Sequence, residues 1–248
     1  MSETPWLSVV VPFRDEEASL VRLHAELRGA LDPLDRTIEM IFVDDASRDD
    51  GPLVVEGFAA RDPRVRLLRL TPHSGQSAAL EAGFRAARGE VVATLDADGQ
   101  NDPADLPGLL AALDYADCAD CVCGVRVDRA DVLATRVASR VANAVRRRLL
   151  ADGVSDVGCA LRVMRAGPLS RVKLFRGAHR FLPALLRLEG ARVIEQPVRH
   201  RPRRHGQSNY GIVSRLAVVW LDLVGVLWLS RRIDRYEVKE AVRPPAKT

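Results

Sequence analysis

Aromatic residues make up only 5% of the 248-residue chain, too few for the stacking platforms on which single-stranded nucleic acids rest. Cysteine is scarce too. Cys118, Cys121 and Cys123 crowd together with Cys159 far off, which is no disulfide framework at this length. Cys121 and Cys123 fall two apart in an expected strand and so share one face, where cysteine behaves as a small hydrophobe. No nearby His or Cys completes a zinc site. Residues 1–6 hold no basic region leading into an apolar run, so no secretory signal is read there and a reducing, cytoplasmic setting is expected. Lysine is nearly missing: of 37 basic residues only Lys173, Lys239 and Lys247 are lysine. No recognition-helix, RNA-binding or zinc-finger signature accompanies the arginines, so no nucleic-acid partner is expected.

What is present is a globular composition, 47% hydrophobic and 28% charged, long enough to bury a core without disulfides or metal staples. The charge is unevenly laid out. Residues 1–125 hold 11 Arg and Lys against 23 Asp and Glu, and residues 126–248 hold 26 against 10. An acidic half followed by an arginine half suggests two tasks, holding a cation in the first and gripping an anion in the second.

β-branched runs at 7–12, 38–43, 65–70 and 90–95 read as strands. Segments 16–31, 51–60 and 77–87 between them read as helices, the first with Leu20, Leu23, Leu27 and Leu31 at helical spacing. This alternation predicts an α/β fold with a mixed, mainly parallel sheet flanked by helices. Downstream, 120–125, 156–164 and 191–200 read as strands, 132–150 as a long helix, 201–208 as a loop, and 231–248 as a charged, mobile tail. Ligands of such sheets sit beyond the carboxyl ends of the strands, where Asp44, Asp45, Asp96 and Asp98 are expected.

Residues 212–229 are nearly all apolar but carry Arg215 and Asp222. A spanning helix needs about 20 apolar residues, and each central charge costs roughly 2.5–3.5 kcal/mol on insertion, so a span is the least favoured reading. Gly211, Ser214, Arg215, Asp222 and Gly225 form a narrow polar stripe on a helical wheel. That suits a helix in a membrane interface or between subunits, with a core helix as the plain alternative.

The chemistry concentrates at Asp96, Asp98 and Gln100, directly after a strand. Two carboxylates one residue apart, with an amide two further on, suit a hard divalent cation, Mg²⁺ or Mn²⁺, that shares its oxygen ligands with substrate phosphates. Such an ion would neutralise a diphosphate leaving group.

LSVVVPFRDEE at 7–17, VDDAS at 43–47, LDADGQNDP at 95–103 and GVR at 124–126 together resemble family 2 glycosyltransferases. With DVGCALR at 156–162, HRFLP at 179–183 and RRHGQS at 203–208 the resemblance is to the polyprenyl- or dolichyl-phosphate branch, over roughly residues 6–230. It implies a GT-A fold, Rossmann-like in its nucleotide-binding half, and a nucleotide-diphosphate sugar, UDP- or GDP-linked, used with a divalent metal. By position, Pro12, Asp15, Glu16, Val43, Asp44, Asp45 and Gln76 fall to the donor. Asp96, Asp98 and Gln100 fall to the metal and diphosphate. Arg126, Arg136, Ser139, Arg140 and Arg203 fall to the acceptor phosphate. Arg14 departs from the pattern, standing where this branch often has an aromatic ring.

A phosphate monoester is already anionic and needs no general base, whereas a sugar hydroxyl does. Arginine forks suit the phosphate. Asp156 is then either the base of a hydroxyl acceptor or the residue that orients an arginine, the second being favoured. His179 and Arg180 either line the acceptor mouth or cap a helix. Arg146, Arg147 and Arg148 read as a solvated face, or as contacts to anionic headgroups.

The expectation is an inverting transfer of sugar to polyprenyl phosphate, with Asp96, Asp98, Arg126 and Asp156 as the catalytic set. A hydroxyl acceptor is the alternative, and a non-catalytic nucleotide-sugar-binding subunit the third reading. Residues 1–211 would form the catalytic domain, divided into a donor half at 1–125 and an acceptor half at 126–211. Residues 212–230 would form a membrane-interface or oligomer-contact helix. Only 19 residues follow position 229, so docking on the cytoplasmic face of a membrane would fall to that helix or to a homo-oligomer.

Overall fold

The computed structural model describes residues 4–115, 119–127, 146, 148–150, 153–202 and 212–232, with the backbone alone for 212–219. Its first half alternates β1 (Leu7–Phe13), α1 (Glu17–Leu31), β2 (Ile38–Asp44), α2 (Gly51–Ala59), β3 (Val65–Arg69), α3 (Gln76–Ala86), β4 (Val91–Thr94) and α4 (Leu106–Tyr115). Then come β5 (Cys121–Arg126), β6 (Arg162–Arg165), α5 (Ala166–Arg171), α6 (Leu182–Leu188), β7 (Val193–Val198) and α7 (Ile212–Ser230).

The strands form one sheet in the order β3-β2-β1-β4-β6-β5-β7. β3, β2, β1 and β4 run parallel, as do β5 and β7, and β6 alone is antiparallel to its neighbours. β1 and β2 are buried at every position, which explains their unbroken apolar sequence: helices cover both faces of a parallel sheet. α1 buries Leu20, Leu23, Leu27 and Leu31, the four leucines of its expected stripe. Burying each is worth about 1.5–3 kcal/mol, enough to fix the face that α1 turns to the sheet.

The sheet is mixed and mainly parallel, as the alternation predicts. The strand expected at 156–164 is shorter, beginning only at Arg162. Residues before it turn instead, because the Asp156 side chain accepts the backbone N–H of Gly158 at 3.2 Å, an Asx-type competitor of the strand ladder. Helices α4, α5 and α6 lie in stretches to which the sequence reading assigns no element. Of the long helix expected at 132–150, residues 148–150 are helical and 132–145 lie outside the described residues, as do Cys118 and 233–248 of the tail. Cys121 and Cys123 do share a buried face, their sulfurs 3.6 Å apart.

Candidate active site

Two loops leave the carboxyl ends of β1 and β2 and are tied to each other. Pro12 pairs with Val43 and Phe13 with Asp44 across the strands. Beyond them the Asp15 amide donates to Ser47 Oγ at 3.0 Å, and Asp15 Oδ1 accepts from the Arg48 amide at 2.7 Å. Asp49 Oδ2 accepts from the Glu17 amide at 2.9 Å. Asp15 and Ala46 both hold positive φ, 54° and 57°, a conformation that costs a non-glycine residue energy and concentrates at functional sites. The Arg14 guanidinium lies 3.6 Å from the Asp15 carboxylate.

Asp44 and Asp45 are almost wholly buried and face different tasks. Asp44 Oδ1 accepts from the Ser47 amide at 2.8 Å and so shapes its own turn. Asp45 reaches the next connection, accepting from the amides of Ser74 (2.7 Å) and Gly75 (2.9 Å) and pairing with His73 Nδ1 at 2.8 Å. Gly75 has φ +90°, open to glycine, and stands at the N-cap of α3. The helix so anchored carries Gln76 on its first turn, and the Gln76 amide donates to Asp96 Oδ1 at 2.7 Å. Asp45 thus fixes the group that orients Asp96.

Asp96 and Asp98 follow β4 and are half-buried. Burial pushes the Asp96 carboxyl up to about 7; the neighbouring Asp98 charge adds to the rise, Arg162 and Gln76 oppose it, and Glu16 gives a smaller push. Asp98 Oδ1 accepts from the Gln100 amide at 3.1 Å. The Gln100 side-chain nitrogen faces His200 Nε2 at 3.4 Å, and Asn101 bridges the His200 backbone. Among the described residues no three His, Cys, Asp or Glu side chains form a protein-only metal cage. Two mutually repelling carboxylates are nonetheless a fitting donor set for Mg²⁺ or Mn²⁺, which bind by one or two carboxylates together with substrate phosphates.

A cleft of about 190 Å³ opens beside Asp96, lined among others by Gln76, Gly158, Arg162, His179 and Arg180. Arg162 is buried and donates to the carbonyls of His179 (3.0 Å) and Val157 (2.9 Å). His179 Nδ1 lies 2.8 Å from Ser77 Oγ, and burial, then the charges of Arg180 and Arg162, push its pKa down to about 3. At the end of β5, Arg126 forms a fork with Asp156, Nε to Oδ2 at 2.7 Å and Nη2 to Oδ1 at 2.8 Å. Gly158 makes room for it: a Cβ there would lie 2.5 Å from Arg126 Nη2. Glu195 on β7 holds the same loop, accepting from the Ser155 amide at 2.6 Å.

The fold therefore brings Gln76 to Asp96 and Arg126 to Asp156, and sets Asp15, Glu16, Asp44 and Asp45 around the loops of the same sheet edge. Arg136, Ser139, Arg140 and Arg203 lie outside the described residues. Sequence reasoning gave no role to Arg162, Glu195 or His200. Arg162 left a signal, a charge at the start of a strand that is buried until its last residue, the exposed Arg165; Glu195 and His200 left none.

Residues 8–173 match the model of glycosyl transferase family 2. The chain is 37% identical over 229 residues to a dodecaprenyl-phosphate galacturonate synthase of Rhizobium johnstonii, covering 91% of this chain and 67% of that protein. It is 35% identical over 223 residues to an undecaprenyl-phosphate 4-deoxy-4-formamido-L-arabinose transferase of Edwardsiella ictaluri, covering 90% of this chain and 68% of the relative. The chain thus spans about two thirds of the length of these relatives. Among solved structures, glucosyl-3-phosphoglycerate synthase of Mycobacterium tuberculosis with Mn²⁺, UDP and glucosyl-3-phosphoglycerate superposes with a TM-score of 0.66 at 19% identity, over 93% of this chain and 81% of that one. The same enzyme with Mg²⁺ and UDP gives 0.65 at 18%, over 93% and 81%. The GT-A fold expected from the sequence is the fold observed.

Proposed function

The chain belongs to glycosyl transferase family 2, and from that premise we propose that it moves a sugar from a nucleoside-diphosphate donor to a polyprenyl phosphate, inverting the anomeric carbon in one in-line displacement. The carrying observation concerns bases. A hydroxyl acceptor needs a group to take its proton. Asp96, which lines the cleft with its carboxyl pushed up to about 7, is held by Gln76 and committed to the metal in this reading. Of the other candidates, Asp156 beside the cleft has both oxygens engaged by Arg126, and His179, at a pKa of about 3, is too weak a base for the task. An acceptor that arrives already ionised needs none of them; it needs cations to orient it and to offset its repulsion from the donor diphosphate. Arg126, Arg162 and Arg180 on this side of the sheet supply that field.

In this reading the donor lies over the edge formed by Pro12, Asp15, Glu16, Val43, Asp44 and Asp45. Gln76 fixes Asp96, and Asp96, Asp98 and Gln100 would hold Mg²⁺ or Mn²⁺, which when bound neutralises the departing diphosphate. The acceptor phosphate oxygen attacks the anomeric carbon, the bond to the diphosphate breaks, and its electron pair leaves with the nucleotide. No proton transfer is required. Incubation with labelled UDP- and GDP-sugars, Mg²⁺ or Mn²⁺ and polyprenyl phosphate should carry label into the organic phase only when metal and lipid are both present. Nucleoside diphosphate released while the lipid stays unlabelled would move the acceptor to a saccharide hydroxyl.

Among the described residues no helix is long and apolar enough to cross a membrane. α7 instead presents Trp220, Leu221, Val224 and Trp228 on one exposed face. At its end Arg232 lies 5.7 Å over the Trp228 ring, with Arg231 also exposed. Tryptophan and arginine together suit an anionic lipid interface, and peripheral docking on the cytoplasmic face is part of the proposal. Replacing Trp220 and Trp228 together by serine should weaken binding to anionic vesicles by about tenfold or more. Unchanged flotation, with the protein sedimenting as an oligomer, would assign the face to a second copy.

A further inference from the structure

Three hydrogen bonds meet at the Ser77 hydroxyl. Ser77 stands on the first turn of α3, next to Gln76, and is almost wholly buried. The amides of Gly177 and His179 both donate to its Oγ, at 3.1 and 3.3 Å, and His179 Nδ1 lies 2.8 Å from the same atom. A hydroxyl has two lone pairs and one proton, and a backbone amide can only donate. The two amides therefore take the lone pairs, and the proton goes to Nδ1. The ring nitrogen that faces Ser77 is the acceptor of this bond.

The other nitrogen follows from the charge of the ring. Burial, then the charges of Arg180 and Arg162, push the His179 pKa down to about 3, so the imidazole is neutral and carries a single proton. With Nδ1 accepting, that proton sits on Nε2. His179 is half-buried and lines the cleft beside Asp96, and its Nε2 has no hydrogen-bond partner among the described residues. It is a neutral donor set among cations.

What the cleft lacks is an anion. Arg162 is 4% exposed, its two Nη atoms donate to uncharged carbonyls, and its Nε is buried with no partner. The negative charge within its reach is that of Asp96, which the proposed metal would claim. A buried cation without a counter-charge costs several kcal/mol, and a ligand that brings one removes that cost.

We infer that His179 binds the acceptor, its Nε2–H donating to an oxygen of the acceptor phosphate in the cleft, and that Ser77 is the positioning residue that fixes this tautomer. The inference rests on the phosphate-acceptor reading above. A carboxylate on the donor sugar would offer the same anionic oxygen, and kinetics separate the two. His179→Phe, which keeps a ring and removes the donor, should raise the KM for polyprenyl phosphate about tenfold, while the donor KM and the Kd for nucleoside diphosphate stay within about twofold. His179→Gln, whose amide nitrogen can stand where Nε2 stood, should recover much of the loss.

Long-range proton–nitrogen NMR of the wild-type protein supplies a readout that a structural role would not move. Nδ1 should be unprotonated, Nε2 should carry the proton, and polyprenyl phosphate should shift the Nε2–H signal; Ser77→Ala should mix the two tautomers. A proton on Nδ1, a normal lipid KM in His179→Phe, or a rise confined to the donor KM overturns the inference. If His179→Phe melts early, an Nε2–H signal unmoved by polyprenyl phosphate in active wild-type protein is equally fatal. Wild-type protein that makes no lipid-linked sugar overturns the function itself and this inference with it, whereas wild-type product beside a normal His179→Phe overturns the inference alone.

Discussion

Asp98→Asn should lower sugar transfer by at least about a thousandfold, roughly 4 kcal/mol of lost transition-state stabilisation. The folded protein should survive the change, because Asp98 is half-buried and its one described hydrogen bond accepts the Gln100 amide, a role an asparagine oxygen can keep. What disappears is one of two charges that now repel each other across the turn after β4. In the proposed reading a divalent ion shared with the donor diphosphate would offset that repulsion, and removing one charge should weaken the hold on both. Mn²⁺ binding followed by electron paramagnetic resonance should weaken in parallel with turnover. Transfer at near-normal rates would overturn the metal role of this pair.

Arg126→Ala should cost about a hundredfold in kcat/KM for the lipid acceptor while nucleotide affinity changes little. Arg126→Lys should not rescue it, since an ammonium cannot reproduce the two-pronged bond to Asp156. Asp156→Asn should show nearly the same deficit, and the double variant should be no worse than either, because the pair acts as one unit. The check is a kinetic cycle over the four proteins with circular-dichroism melts beside it. Breaking a buried pair costs about 3–5 kcal/mol of stability when one partner is left alone, so a melt that collapses only in the single variants marks a structural pair. Equal loss of nucleotide and acceptor binding would also exclude an acceptor role.

Legibility in the sequence tracked burial. β1 and β2 were readable because both faces are covered, which forces an unbroken apolar run; α1 because its leucines meet the sheet on one side. Asp44, Asp45, Asp96 and Asp98 were readable because carboxylates directly after such strands have no packing reason to be there. The segment before β6 was not. Its extended look, from Asp156 to Met164, is broken by a side chain bonding to its own backbone, a local competition that residue type alone does not reveal. Arg162 escaped assignment, and His179 stayed between acceptor mouth and helix cap, for a different reason: their meaning lies in partners 17 to 102 positions away, the carbonyl of His179 for one and the hydroxyl of Ser77 for the other. Glu195 likewise acts on a loop 40 positions earlier.

β6 is the sheet's one reversed strand, and the reversal bears on how such an enzyme can change. A parallel strand offers its end to the ligand edge, whereas β6 offers its beginning, so the segment entering it (153–161) arrives at the edge that the donor loops already occupy. The seam between β4 and β6 is therefore a natural joint. If the proposed division of donor and acceptor holds, the chain as far as β4 would serve as the nucleotide-handling part, and the segment that feeds β6 could be rewritten for a new acceptor without disturbing a parallel pairing among β1 to β4. Chimeras cut at this joint, with the chain beyond residue 115 exchanged between relatives that differ in acceptor, should inherit the donor of the first parent and the acceptor of the second.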